Sequence, residues 1–383
     1  MKLGIVSDCI HYKNDEGKIG TENHIFLRQM QALASHYSKT LIACPFDTID
    51  KTKVISWYND SIDFEELPMA GGETWKAKFE IIKILPKWIK AFKAIDKFAD
   101  IVYQRFPNNV NIPGFLYFYL KNKKVFGTYT GTWKYYEGEP ITYRLQRWIL
   151  RNFFRGPVWV YTVKERLNKR INSGFSPSYS KIEWEEEIEQ VHQRKLDIKN
   201  KGISTVRLIS VGKLIYYKNQ IAILKACVVL KESNFPFTLK IVGDGPMESE
   251  LNAFVNENKL EREIEFTGKK TYQELKLLYR QSDFVVQAPL YEGFGKVPVE
   301  AFFHGVIPIL NNVGMAGYMI GNDERGFLFD ATNPQNLANL IMDIKNKISE
   351  LPCIIDKGRD FSKTQTLENW GNEYYAAVCE FYK

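Results

Sequence analysis

Between residues 206 and 348, short β-branched runs alternate with helical stretches, and this pattern constrains the chain more than any other feature. The strand-like runs are VRLISVG (206–212), FTLKIVG (237–243), IEFTG (264–268), DFVVQAP (283–289) and VIPILN (306–311). The stretches 219–232, 246–257, 271–281, 296–304 and 333–348 carry helical patterning. Strands apolar on both faces, each followed by a helix, predict a parallel, doubly wound sheet. The first half repeats the alternation with longer insertions, at LGIVS (3–7), TLIACP (40–45), IVYQR (101–105), KVFGTY (124–129) and VWVYT (158–162). A helix is expected from Thr21, as N-cap, to about Tyr37, because Ile25, Phe26, Met30, Leu33, Ala34 and Tyr37 recur at helical spacing. The turn-rich NSGFSPSYS and the charged KIEWEEEIEQ predict a joint around 172–190. The expected organisation is α/β throughout: one Rossmann-like domain over 1–185, a second over 186–361, and a final helix over 362–383 returning to the first. Ligands of such sheets bind beyond the carboxyl ends of the strands, which predicts a site in the cleft between the two units.

At 383 residues, with 45% hydrophobic and 25% charged content, the composition is that of a globular protein. The opening MKLGIVSDCIHY lacks the pattern of a secretory signal, and no window reaches the ~20 apolar residues of a membrane span. Cys9, Cys44, Cys227, Cys353 and Cys379 are odd in number and far apart, which predicts reduced thiols and a cytoplasmic setting. Neither Cys-x-x-Cys nor His-x-x-x-His spacing occurs, so no built-in metal site is expected. The net charge of +7 is concentrated: residues 75–98 hold seven lysines against two acids, and 143–155 hold four arginines and no acid. Both segments read as amphipathic helices with a basic face. That face either is a solvated outside or makes peripheral contact with an anionic membrane or acidic acceptor. No base-reading motif accompanies the charge, so nucleic acid is not an expected partner.

The segment YEGFGKVPVEAFFHGVIPIL (291–310) follows a strand and opens a helix near Lys296. Gly293 and Gly295 permit close backbone approach, Pro298 suits a first helical turn, and the free N–H groups of a helix start favour an anion. Glu292 and Glu300 add carboxylates suited to vicinal hydroxyls.

With Glu292, Gly293, Phe294, Gly295, Glu300, Ala301, Gly305 and Pro308 in place, the segment resembles the Glu-x7-Glu motif of retaining glycosyltransferase family 4. The resemblance implies the GT-B architecture, two Rossmann-like domains facing each other across a cleft, with acceptor bound by the first and nucleotide sugar by the second. It implies that Glu300 binds the donor ribose, that Glu292 lies at the sugar, and that backbone at Phe294, Gly295 and Lys296 meets sugar and phosphate. SVGKLIYYKNQ (210–220) resembles the family stretch whose cations hold the diphosphate, which implies that role for Lys213 and Lys218 beside Gly212. IVGDGPMESEL (241–251) resembles the next glycine turn, and FTGKKTYQEL (266–275) implies nucleobase contacts near Gly268, Lys269 and Lys270. NNVGMAG (311–317) places Gly314 and Met315 near the diphosphate, and Gly20 occupies the position of the family's N-terminal glycine loop. GTYTGTW (127–133) lacks the histidine often found there, leaving Tyr129, Thr130 or Thr132 as substitutes and His11, His24 and His304 as further candidates. The expected reaction is transfer of a hexosyl-type sugar from a nucleotide-diphosphate sugar to a glycan or lipid-linked acceptor, with retention, without metal, in surface polysaccharide synthesis. A nucleotide-sugar epimerase of the same fold and a non-catalytic donor-binding partner are the alternatives.

Overall fold

The computed structural model describes residues 1–49, 55–59, 62–69, 75–162 and 169–383, with the backbone alone over 75–82. The chain divides into two units, Met1–Ser178 with Leu367–Lys383, and Tyr179–Thr366. The expected divisions at 185/186 and 361/362 fall a few residues from these.

In the first unit seven parallel strands run in the order β7-β6-β5-β4-β1-β2-β3. They are β1 (Lys2–Val6), β2 (Lys39–Cys44), β3 (Ile62–Glu66), β4 (Ile101–Phe106), β5 (Lys124–Thr132), β6 (Val158–Tyr161) and β7 (Ile171–Ser173). Its helices are α1 (His24–Ala34), α2 (Trp75–Phe98), α3 (Asn111–Leu120) and α4 (Ile141–Asn152). Alternation along β1 splits the core: Leu3 and Ile5 pack with Phe26 and Met30 of α1 and with Trp370 and Tyr374 of the C-terminal helix (Leu367–Phe381). Val6 faces the other way, toward Trp88, Phe92 and Ile95 of α2.

Helix α1 begins later than expected. Asn23 is its N-cap, accepting from Phe26 N at 3.0 Å, while Thr21 receives Asn23 N at 3.1 Å and shapes the turn before it. Tyr37 is buried but lies beyond the helix end. The lysines of α2 at 83, 87, 90, 93 and 97 are exposed while its aromatic side faces the core, so this is a core helix with a solvated outside. Trp75 lies outside the described side chains.

The second unit is a six-stranded parallel sheet in the order β10-β9-β8-β11-β12-β13. Its strands are β8 (Val206–Val211), β9 (Phe237–Val242), β10 (Ile264–Gly268), β11 (Phe284–Gln287), β12 (Ile307–Asn311) and β13 (Phe327–Phe329). Its helices are α5 (Lys181–Glu186), α6 (Ile188–Lys201), α7 (Gln220–Glu232), α8 (Glu248–Glu257), α9 (Tyr272–Arg280), α10 (Lys296–Phe303), α11 (Ala316–Ile320), α12 (Pro334–Asp343) and α13 (Leu351–Lys363). The helix expected over 333–348 stops at Asp343 and continues only as a 3-10 turn, Ile344–Lys347. The charged stretch read as a joint is structured: Ser180 and Glu183 form a reciprocal capping box, and Trp184 donates to Ser362 Oγ at 3.1 Å. Among the described residues no helix is long and apolar enough to cross a membrane.

Candidate functional site

In the second unit the loops leaving the carboxyl ends of the strands are joined backbone to backbone. Gly212 N donates to Val242 O at 2.9 Å, Leu214 N to Asp244 O at 2.8 Å, and Gly243 N to Gly268 O at 3.0 Å. Gly243 is required here: a Cβ on it would sit 1.9 Å from Gly212 O, with φ at 141°. Leu290 N donates to Tyr217 O at 2.8 Å, Asn219 Nδ2 to Ala288 O at 3.0 Å, and Gln287 Nε2 to Val211 O at 3.2 Å. A Cβ on Gly314 would meet Glu292 O at 2.3 Å, so this loop lies directly on the backbone of the Glu292–Gly293 turn. Gly212, Gly268, Gly293, Gly295 and Gly314 thus belong to one edge, with backbone as its main surface. Beside it a hollow of about 660 Å³ is lined by Leu290, Asn312, Val313, Asp330 and Thr332 among others.

Charged groups gather on the same edge. The Lys218 ammonium is hydrogen-bonded to Glu292 Oε2, and the other oxygen of Glu292 accepts from Gly293 N at 3.1 Å. Tyr217 and Tyr291 stack beside the pair, ring centroids 4.7 Å apart. Lys213 is exposed in the loop after β8, where Gln220 Nε2 holds its carbonyl at 3.0 Å. Helix α10 starts from Gly295, left-handed at φ 74°, and Pro298 sits in its first turn. Phe294 is buried, so it can offer a ligand its backbone rather than its ring.

Glu300, on α10, is only 6% exposed. Its Oε2 accepts from Tyr279 Oη at 3.0 Å, a contact between β-strand-separated helices that the sequence motif does not contain. Burial, and then the Glu300 carboxylate, push the Tyr279 hydroxyl well above its ordinary value, so it is a permanent donor. The Tyr279 ring stacks on His304, centroids 5.4 Å apart. His304 Nε2 is 2.9 Å from Tyr179 Oη, and its Nδ1 lies 2.9 Å from Glu187 Oε2. Burial holds His304 below its usual range, partly offset by Glu187. Burial alone would raise Glu187, but hydrogen bonds from His304 and Arg280 bring it down to about 2. The neutral imidazole with hydrogen on Nδ1 satisfies both neighbours.

Other candidates are differently placed. Lys269 is exposed in the loop after β10, and Lys296 is half-buried at the start of α10. Gly20 lies in the first unit, in the short strand Ile19–Thr21, where a Cβ would meet Ser56 O at 2.4 Å; its small size serves strand packing. Tyr129 is buried and receives Arg147 Nη1 at 3.2 Å, and Thr130 Oγ1 donates to Phe106 O at 3.0 Å, so both are engaged in structural contacts. His11 is enclosed by Phe26, Phe46, Tyr58 and Phe64, and burial lowers it to about 4. Among the described residues no group of three or more His, Cys, Asp or Glu side chains could hold a metal ion.

Glycine turns at the strand ends, a paired lysine and glutamate, and a buried carboxylate on the following helix thus share one edge of a Rossmann-like sheet. Residues 193–359 match the family model of glycosyl transferases group 1. An uncharacterized glycosyltransferase of Methanocaldococcus jannaschii is 31% identical over 132 residues, 34% of this chain and 37% of that one. A glycogen synthase of Mycobacterium tuberculosis is 27% identical over 143 residues, 37% of this chain and 34% of that one. The chain thus spans about a third of the length of these curated relatives. The crystal structure of Anabaena Alr3699/HepE in complex with UDP and glucose matches with a TM-score of 0.72 at 16% identity, covering 99% of both chains. The fold is accordingly the α/β, Rossmann-like type of the GT-B glycosyltransferases.

Proposed function

We propose that the chain is a glycosyltransferase that moves a hexosyl-type sugar from a nucleotide-diphosphate sugar to a glycan or lipid-linked acceptor. The observation that carries this reading is the joining, on one strand edge, of Glu292 with Lys218 and of the glycine turns with the start of α10. Glu300, its carboxylate held by Tyr279, binds the ribose diol, and Glu292 binds sugar hydroxyls. Lys213 and Lys218 hold the diphosphate, with Gly212 and Gly314 shaping the backbone around it, while Gly268 and Lys269 border the nucleobase. Transfer proceeds with retention. The bond from the anomeric carbon to phosphate oxygen breaks, the acceptor oxygen bonds to the same face, and the acceptor proton passes to the departing phosphate. The two ammonium groups and the start of α10 stabilise the charge that develops, a function a metal serves elsewhere, so transfer is expected to survive chelator. The setting is the cytoplasmic side of a membrane in surface polysaccharide synthesis.

Glu300→Ala tests the reading. Loss of a charge-assisted hydrogen bond costs ~1.5–3 kcal/mol, a donor affinity about ten- to hundredfold weaker. Donor binding is read by thermal shift against UDP-sugars, and anomeric configuration by proton NMR of the product. Unchanged affinity in the variant would remove Glu300 from the site, and a donor isomerised without acceptor would mark an epimerase.

A further inference from the structure

We propose that the exposed face of α4 in the first unit is a docking surface for an anionic lipid bilayer. This inference stands apart from the donor site, which lies in the other unit. Ile141, Leu145 and Trp148 are spaced i, i+4, i+7 and share one helix face. They are 81%, 41% and 53% exposed, an apolar row a helix of a closed domain would turn inward. The inward side of α4 is already occupied by Ile149, Leu150 and Gln146, all buried. Phe153 extends the row beyond the helix, its ring 4.8 Å from Trp148.

Cations border the row. Arg144 and Arg151, at i, i+7, lie along one flank, Arg144 over the Tyr135 ring at 4.5 Å and Arg151 over Trp133 at 4.8 Å. Arg155 continues the line to α3, donating to Asn122 at 2.6 Å and covering Tyr119 at 3.9 Å; on α3, Leu116 and Leu120 are also exposed. From Asn111 to Arg155 the only acids are Glu137 and Glu139. Glu139 is buried and taken by Arg147, whose Nη2 donates to it at 2.6 Å. Arg147 is therefore a core cation; Arg144 faces outward with its Nε 3.5 Å from Glu139 Oε2, and Arg151 and Arg155 are exposed.

An apolar row with an aromatic at its centre and arginines beside it fits the boundary between acyl chains and anionic headgroups. A second copy fits less well, because a two-fold contact sets each patch against itself and opposes Arg144 and Arg151 to the same charges. The distinction from α2 is physical: its lysines are exposed, but Trp88, Phe92 and Ile95 are in the core and cannot insert.

The test is co-flotation of the full chain with vesicles of phosphatidylcholine alone or mixed equally with phosphatidylglycerol. Binding is expected to the anionic vesicles only, and to weaken as salt is raised. Arg144→Gln with Arg151→Gln should reduce partitioning by about 30-fold. Ile141→Ser with Trp148→Ser should reduce it by at least about tenfold. Circular dichroism and nucleotide-induced thermal shift should match the parent chain, since neither pair is buried or part of the donor edge. The proposal is overturned by a parent chain that ignores anionic vesicles, by equal binding to both vesicle types, or by variants that bind like the parent. A dimer in sedimentation that the Ile141/Trp148 variant dissolves would assign the face to a second copy instead.

Discussion

The two units are joined in different proportions by backbone and side chains beyond the carboxyl ends of their strands. In the second, backbone meets backbone: Gly243 against Gly212, Gly245 against Leu214, Gly314 against Glu292. In the first, side chains add to backbone bonds such as His11 N to Pro45 O at 2.8 Å. Asn108 N donates to Gln146 Oε1 at 2.9 Å, Asn111 N to Asn108 Oδ1 at 2.7 Å, and Arg105 Nη1 to Gln29 Oε1 at 3.1 Å. Past β1 the chain enters a small four-stranded sheet around His11 rather than a short turn into a helix. An edge built from glycine backbone keeps its shape whatever the neighbouring side chains do, which suits invariant groups such as a diphosphate. One built from side chains can be re-cut residue by residue, which suits a variable acceptor.

The sharpest way to break this comparison is a single methyl group. Gly243→Ala puts a Cβ 1.9 Å from a carbonyl oxygen that other loops hold in place, at a φ of 141°. The expected loss is ~3 kcal/mol or more, seen as an early transition of the second unit in denaturant unfolding. Gly268→Ala is the control, since at φ 67° its Cβ meets nothing within 4 Å, and only the left-handed backbone cost of about 1–2 kcal/mol remains. Equal losses in the two variants would mean that backbone packing does not define the edge.

Acid sharpens the comparison from the other side, because each unit buries one neutral histidine. Burial lowers His11 to about 4, against a partial upward pull from its bond to the Cys9 carbonyl, and burial also lowers His304. The unfolded chain protonates histidine near ~6.5. Below that pH the unfolded state binds more protons, so this stability is complete above ~6.5 and declines toward the folded value. For His11 the loss is about 2 kcal/mol by pH 5. Glu187, held down to about 2, adds a loss in the second unit only as pH falls below ~4.5. Unfolding measured at pH 7 and pH 5 should show the decline, and His11→Phe should flatten it in the first unit. A curve level across that interval in the parent chain would contradict the buried neutral state.

How much of this was legible follows from range. Glu292, Gly295, Pro298 and Glu300 sit within one strand–turn–helix, where local rules of turn and helix start apply, and the helix begins at Lys296 as expected. Partners distant in sequence left no local mark: Tyr279 for Glu300, Asn219 for Ala288, Gln287 for Val211. Elements were missed for identifiable reasons. NIPGFLYFYL became α3 despite Pro113 and Gly114: Pro113 falls in the first turn, where no N–H partner is needed, and Gly114 N donates to Val110 O at 3.1 Å. IDFEE, acidic at the sheet edge, became β3 by pairing with β2, and FLF is too short to carry a period. Trp88 and Trp148 look alike in sequence among basic neighbours. Only packing separates the core residue from the exposed one.

The smallest expected effect concerns a buried side-chain contact behind the backbone-built edge. Tyr279→Phe keeps the ring and its stack on His304 but removes the hydroxyl that holds Glu300 Oε2 at 3.0 Å. A buried hydrogen bond to a charged group contributes about 1.5 kcal/mol, and relaxation of the freed carboxylate recovers part of it. If Tyr279 positions Glu300 for the donor, the donor KM should rise roughly three- to tenfold with kcat nearly unchanged, because ribose binding is the same in ground and transition states. A purely structural role would lower the melting temperature and leave KM alone. That outcome would detach Tyr279 from the site while leaving the glycine-built edge intact, so the variant separates what backbone does there from what a buried side chain adds.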